Sequence, residues 1–150
     1  MSLTQLKDKS LFKQQALIGG DWVGADNGKA DEIRNPADKT LLGAVPHMGA
    51  AETERAVAAA DKAFQSFKNT TAHARSAMLR KWGELMMENQ DDLGLIMTLE
   101  QGKPLAEAKG EIAYAASFAF WFAEEARRMN GETLQTNLPD RRFVTIKQPV

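Results

Sequence analysis

Between Ile112 and Ala123 the chain runs twelve residues without a charged side chain, and five of them are aromatic: Tyr114, Phe118, Phe120, Trp121 and Phe122. One apolar stripe, Leu105, Ala108, Ile112, Ala115, Ala119, Phe122, Ala126 and Met129, advances in alternating steps of three and four, the period of one helix face. A second row, Tyr114, Phe118 and Trp121, lies off that stripe. A helix apolar on more than one side needs cover on more than one side. At 1.5 Å per residue the charge-free run is about 18 Å long, short of the roughly 20 residues a bilayer requires. The cover should therefore be protein. The rest of this 150-residue chain offers little of it, which marks the chain as a piece of something larger.

Charge excludes some partners. Nineteen Lys and Arg stand against twenty Asp and Glu, so no basic field exists for nucleic acid or anionic lipid. There is no cysteine, which removes disulfides, thiolate metal sites and a cysteine nucleophile from these residues. The opening MSLTQLKDKSLFKQQ has neither an apolar core nor a small-residue cleavage site, so no secretory signal is read and the expected compartment is the cytoplasm.

The first third of the chain reads as short strands and turns. Residues 1–14 are expected to be a loosely held arm. Ala16–Ile18 and Asp21–Val23 flank Gly19-Gly20 as a hairpin. Glu32–Arg34 and Leu41–Val45 are brief strands, stopped by Asn35-Pro36 and Pro46 because proline cannot continue a ladder. From Gly49 the period turns helical. A helix over Ala51–Lys68 carries Ala56, Val57, Ala60, Phe64 and Phe67 on one face. A second, capped by Thr70 or Thr71, carries Met78, Leu79, Trp82, Leu85 and Met86. A third starts at Asp91-Asp92, whose carboxylates suit free backbone N–H groups, and puts Leu93, Ile96 and Met97 inside. Gly102 ends it, Pro104 opens the long apolar helix, and Asn130-Gly131 stops that helix. Phe143–Ile146 reads as a strand with no later segment to pair with.

The residues offer little complete chemistry. No G-x-G-x-x-G occurs. Gly24-Ala25-Asp26-Asn27-Gly28-Lys29-Ala30 has three residues between its glycines where a phosphate loop has four, and Ala30 where magnesium needs a hydroxyl, so a turn is the better reading. His47 and His73 lack metal-ligand spacing and read as surface or capping residues. Glu107, Glu111, Glu124 and Glu125 alternate with Lys109, Arg127 and Arg128, the pattern of an ion-paired surface. Asn69-Thr70-Thr71 fits a glycosylation sequon, but without a leader it reads as a helix start. Tyr114, Phe118 and Trp121 could line a ligand tunnel or form core; spacing alone favours core.

Several of these segments, in this order, resemble one family. Leu99-Glu100-Gln101-Gly102-Lys103-Pro104-Leu105-Ala106-Glu107-Ala108-Lys109-Gly110-Glu111-Ile112 is similar to the stretch before the long helix of the NAD(P)-dependent aldehyde dehydrogenases, nearest to their succinate-semialdehyde dehydrogenase branch. Ala16–Trp22 resembles the family's opening hairpin, Asn35-Pro36-Ala37 its Asn-Pro-Ala turn, Ala123–Arg128 with Gly131-Glu132-Thr133 its helix exit, and Lys147–Val150 the strand leading into its catalytic core. The likeness covers about residues 11–150.

The resemblance implies an α/β fold: the N-terminal segment of the aldehyde dehydrogenase architecture, with short β-hairpins, then helices, then an oligomerisation strand, its Rossmann-like sheet incomplete in this chain. It implies an N-terminal arm at 1–14, the N-terminal part of a cofactor-binding domain at 15–138, and the start of the oligomerisation strand at 139–150. The parent would oxidise succinic semialdehyde, or a similar semialdehyde acid, with NAD or NADP as cofactor. It would act on a small aldehyde as a homo-dimer or homo-tetramer, with no nucleic acid or membrane partner. The family's oxyanion Asn, nucleophilic Cys and general-base Glu match no position here, so this chain alone is expected to be inactive. Two carry-overs remain: Tyr114 and Phe118 match a helix contributing to the substrate-tunnel wall, and Glu100 matches a position that sometimes helps bind a structural monovalent cation. The rival readings are a non-catalytic oligomerisation or interaction module and a decayed, truncated gene product.

Overall fold

The structure, a computed structural model, describes residues 1–149. Its β elements are three separate antiparallel pairs. Strands β1 (Ala16–Ile18) and β2 (Asp21–Val23) form the first hairpin. Its turn needs two left-handed residues, and Gly19 and Gly20 supply them at φ 64° and 98°. Strands β3 (Ala30–Arg34) and β4 (Leu41–Pro46) form the second, with a bulge between Ile33 and Arg34. There the Asn35 side chain accepts from Ala37 N–H at 2.9 Å, an Asx turn. The segment 24–29 joins the two hairpins as a turn, closed by Gly28 N–H to the Ala25 carbonyl. The sheet expected to be incomplete is indeed incomplete: no strand among the described residues has two neighbours.

Four helices follow: α1 (Ala50–Phe67), α2 (Ala72–Glu88), α3 (Gln90–Gln101) and α4 (Leu105–Glu125). Thr71 is the cap of α2, its hydroxyl accepting from Ala74 N–H at 3.1 Å. Gly102 closes α3 at φ 81°, the left-handed position that glycine fills without strain. A Cβ there would also stand 2.9 Å from Pro36 Cγ. Pro104 precedes α4, where a missing N–H is no loss.

The core lies where α4 crosses α2 and α3, and small residues make the crossing. Ala108, Ala116 and Ala123 are fully buried and Ala119 nearly so. Phe120 lies across Gly83 of α2, its ring within 2.6 Å of where a Cβ would be. Gly94 of α3 similarly faces the Lys109 backbone. The expected stripe is thus rotated: Ala108, Ile112 and Ala119 face inward, but Ala116, Phe120 and Ala123 replace Ala115 and Phe122, which are exposed. Close approach between helices selects alanine at the seam, and of the five α4 rings only Phe120 turns in, over the space Gly83 leaves. On α3 the buried leucines are Leu95 and Leu99, while the expected Leu93, Ile96 and Met97 are half-buried.

Residues 1–14 are docked rather than loose. Leu6 is buried against Leu95 and Leu99, with Phe12 packed at the edge of the same cluster. The buried Asp92 carboxylate accepts from the backbone N–H groups of Lys7 (3.1 Å) and Asp8 (2.7 Å). So Asp92 holds the arm instead of capping its own helix. Gln14 reaches on to the Ala44 N–H of β4 at 3.0 Å.

Two ends also differ from expectation. Helix α4 stops at Glu125 and tightens into a 3-10 turn over Ala126–Arg128, before Asn130-Gly131. The expected Phe143–Ile146 strand is confined to β6 (Phe143–Val144). It pairs with an earlier segment, β5 (Thr133–Leu134), which composition did not flag. No helix among the described residues is long and apolar enough to cross a membrane.

Candidate functional site

The aromatic rings excluded from the seam form the chain's main unsatisfied surface. Tyr114 is 65% exposed, Phe118 47%, Trp121 67% and Phe122 55%, far beyond what core residues show. The core reading of that row is therefore corrected: within this chain these rings face outward. The α4 rings Trp121 and Phe122 combine with Met78 and Trp82 of α2, Phe67 of α1 and Met129 to line an open apolar groove of about 830 Å³. Arg75 and Glu125 are its charged groups. Contiguous apolar surface of this kind marks a place where something docks.

Tyr114 and Phe118 stand about two turns and one turn back along α4 from this groove and do not line it. They pack against one another edge to face, ring centroids 4.8 Å apart at 75°, a favoured aromatic geometry. The two candidate tunnel residues are thus neighbours on one outward row. The groove that Trp82, Trp121 and Phe122 build beside them went unread in the sequence. Its signal was present as apolar helix faces, but those were assigned to the core.

Three of the four glutamates named on α4 are ion-paired, but only Glu125 finds its partner among Lys109, Arg127 and Arg128, and among the described residues Glu107 makes no salt bridge. Glu124 pairs with Arg80, Glu111 with Lys103, and Glu125 with Arg128 at 2.6 Å. Lys109 turns instead to Asp91, which also receives Lys7 at 2.9 Å. Lys109 first, then Lys7, holds the Asp91 carboxyl down from its ordinary 3.8 to about 2. Arg127 donates to the buried Ser76 hydroxyl at 3.0 Å and reaches His73 at 3.3 Å. His47 pairs across the β3–β4 ladder with Asp31 at 2.8 Å. Both histidines have surface roles.

The turn at 24–29 is locked from α1. Glu52, buried, accepts from Asp26 N–H (2.9 Å) and Gly49 N–H (3.0 Å), and these backbone donors lower its pKa. Arg55 grips the Asp26 carboxylate through two nitrogens at 2.7 and 2.8 Å. That leaves no loop of free N–H groups to cradle a phosphate.

Among the described residues no group of three or more His, Asp or Glu converges to hold a metal ion. Glu100, exposed overall, has enough protein around its carboxyl to raise its pKa, but no second carboxylate joins it. Among the described residues no strand runs through a glycine-rich turn into a helix beside a parallel neighbour, the unit that binds a dinucleotide. The residues present do not fit that cofactor.

Short antiparallel hairpins lead into four helices, of which α2, α3 and α4 meet at an alanine seam beside an outward aromatic row. The model of the aldehyde dehydrogenase family matches residues 22–150, and the chain belongs to that family. It is 60% identical over 146 residues to a glutarate-semialdehyde dehydrogenase of Pseudomonas putida, covering 97% of this chain and 30% of that protein. It is 55% identical over 146 residues to an NADP(+) succinate-semialdehyde dehydrogenase of Escherichia coli, with the same 97% and 30% coverage. The crystal structure of an E. coli NADP-dependent enzyme superposes with a TM-score of 0.94 at 55% identity, again covering 97% of this chain and 30% of the other. The chain thus spans about a third of the length of these relatives.

Proposed function

We propose that these residues are the N-terminal part of a cytoplasmic NAD(P)-dependent aldehyde dehydrogenase that oxidises a short semialdehyde acid, succinic or glutaric semialdehyde, to the dicarboxylic acid. The observation that carries this reading is identity of 55–60% over nearly the whole chain to semialdehyde dehydrogenases from two bacteria. Residues 15–138 would contribute to the cofactor-binding domain and 139–150 would begin the strand of subunit association in a homo-dimer or homo-tetramer. NAD or NADP would be bound mainly by residues outside this chain, since no dinucleotide cradle is built among the described residues. Hydride transfer to the nicotinamide is the chemistry that cofactor supplies.

The contribution of this chain is positional. Tyr114 and Phe118 present one edge-to-face aromatic row from a helix whose opposite face is packed. Such a row can serve as a wall of a substrate tunnel, excluding water from an aldehyde. These 150 residues contain no cysteine to form a thiohemiacetal, so the chain by itself should turn over nothing.

The test is steady-state kinetics of the longer protein carrying these residues, with succinic and glutaric semialdehyde against each of NAD+ and NADP+. The reading expects dehydrogenation of at least one of the two acids, with Phe118→Ala raising KM more than it lowers kcat. Failure with both acids and both nucleotides sinks it, as does dinucleotide reduction by the 150-residue chain alone.

A further inference from the structure

We propose that the pocket between the C-terminal end of α1, the start of α2 and residues 147–149 binds a small organic anion with an apolar body. The pocket measures about 270 Å³ and is distinct from the α2–α4 groove, although Phe67, Arg75 and Met129 border both. Phe64, Phe67 and Met129 supply an apolar floor; Lys68, Arg75 and Lys147 supply three positive charges, and no Asp or Glu among the described residues lines it.

Two of the three charges, Arg75 and Lys68, are held in place without being neutralised. The Arg75 guanidinium is anchored by one nitrogen on the Thr70 carbonyl, which leaves its other N–H groups to donate. Lys68 Nζ donates to the Gln65 side-chain oxygen at 2.8 Å and stands 5.8 Å from the Phe64 ring centre. Both partners are neutral acceptors. Among the described residues none of these three cations has a salt-bridge carboxylate, unlike Arg80, Lys103, Lys109 and Arg128 nearby on α2 and α4. Glu125, the acid on the adjoining groove, is taken by Arg128 at 2.6 Å.

Convergent unpaired cations beside apolar surface favour a ligand with a charged head and a short hydrocarbon or aromatic body. The volume lies just under the roughly 300–1,000 Å³ of drug-sized ligand sites, which restricts the occupant to metabolite size. This assignment does not depend on the dehydrogenase reading, because none of its residues is placed in the chemistry.

Hexanoate is the probe, with inorganic phosphate as the charge-only control, titrated calorimetrically into the protein. The Lys68→Gln/Lys147→Gln double variant changes only exposed side chains and should fold normally. Saturable hexanoate binding that weakens at least tenfold in the double variant is the expected result. Binding should also leave tryptophan fluorescence unchanged, since Trp82 and Trp121 line the α2–α4 groove and no tryptophan lines this pocket. Three outcomes overturn the proposal: no saturable hexanoate binding, equal binding by the variant, or a tryptophan response that puts the ligand in the neighbouring groove. Phosphate binding as tightly as hexanoate would do the same, because the apolar floor would then contribute nothing.

Discussion

Leu99 shows how much of this chain's stability rests on few side chains. It is 2% exposed and, with Leu6 and Leu95, makes up the only buried leucine cluster among the described residues. Leu99→Ala should cost about 2–5 kcal/mol through lost transfer energy and a residual cavity. In a chain with so small a core that is enough to abolish a cooperative urea transition; an unchanged midpoint would contradict the packing. Asp91 gives a pH test with a definite sign. Its folded-state pKa is lowered, so its contribution is present above the ordinary 3.8 and is lost as pH falls towards about 2. The urea midpoint of the wild-type chain should drop across that window, and Asp91→Asn should flatten the drop while leaving the slope near neutral pH untouched.

Helix α4 has two faces with opposite tolerances. Ala119 sits in the seam at 5% exposure, whereas Trp121 is 67% exposed. Ala119→Leu should force the helices apart and cost about 1–3 kcal/mol. Trp121→Lys, in the isolated chain, should be nearly neutral or raise solubility. Parallel denaturation curves of the two variants check this, and a larger loss from the tryptophan would mean that the groove is closed. The three-four spacing in the sequence established that a long helix forms, but not which way it is turned. Both faces are apolar, so hydrophobicity cannot rank them. Size does: Gly83 and Gly94 leave the room that Phe120 and Lys109 fill, and small alanines line the rest of the seam.

For the molecule as a whole, the exposed rings of Trp82 and Trp121 report on what surrounds the chain. In the isolated 150 residues acrylamide should quench both with little hindrance. In the longer protein proposed above, both should be shielded, because apolar surface of this extent requires cover. Equal quenching in the two would separate the groove from any intramolecular partner.

Much of the architecture could be read directly. Glycine pairs and prolines mark the hairpins, Thr71 and Gly102 mark helix ends, and the lack of a cysteine is plain from residue identity. All of these are local: backbone dihedrals, missing donors and missing nucleophiles depend on residue identity alone. What the tertiary structure decided is long-range. It recruited the arm at 1–14 through Asp92, paired Phe143–Val144 with Thr133–Leu134, and turned Tyr114 and Phe118 outward beside a groove that pattern alone assigned to the core. An aspartate's partner eighty-odd residues away, or the choice between two apolar faces, is set by which surfaces fit together, and periodicity carries no record of that.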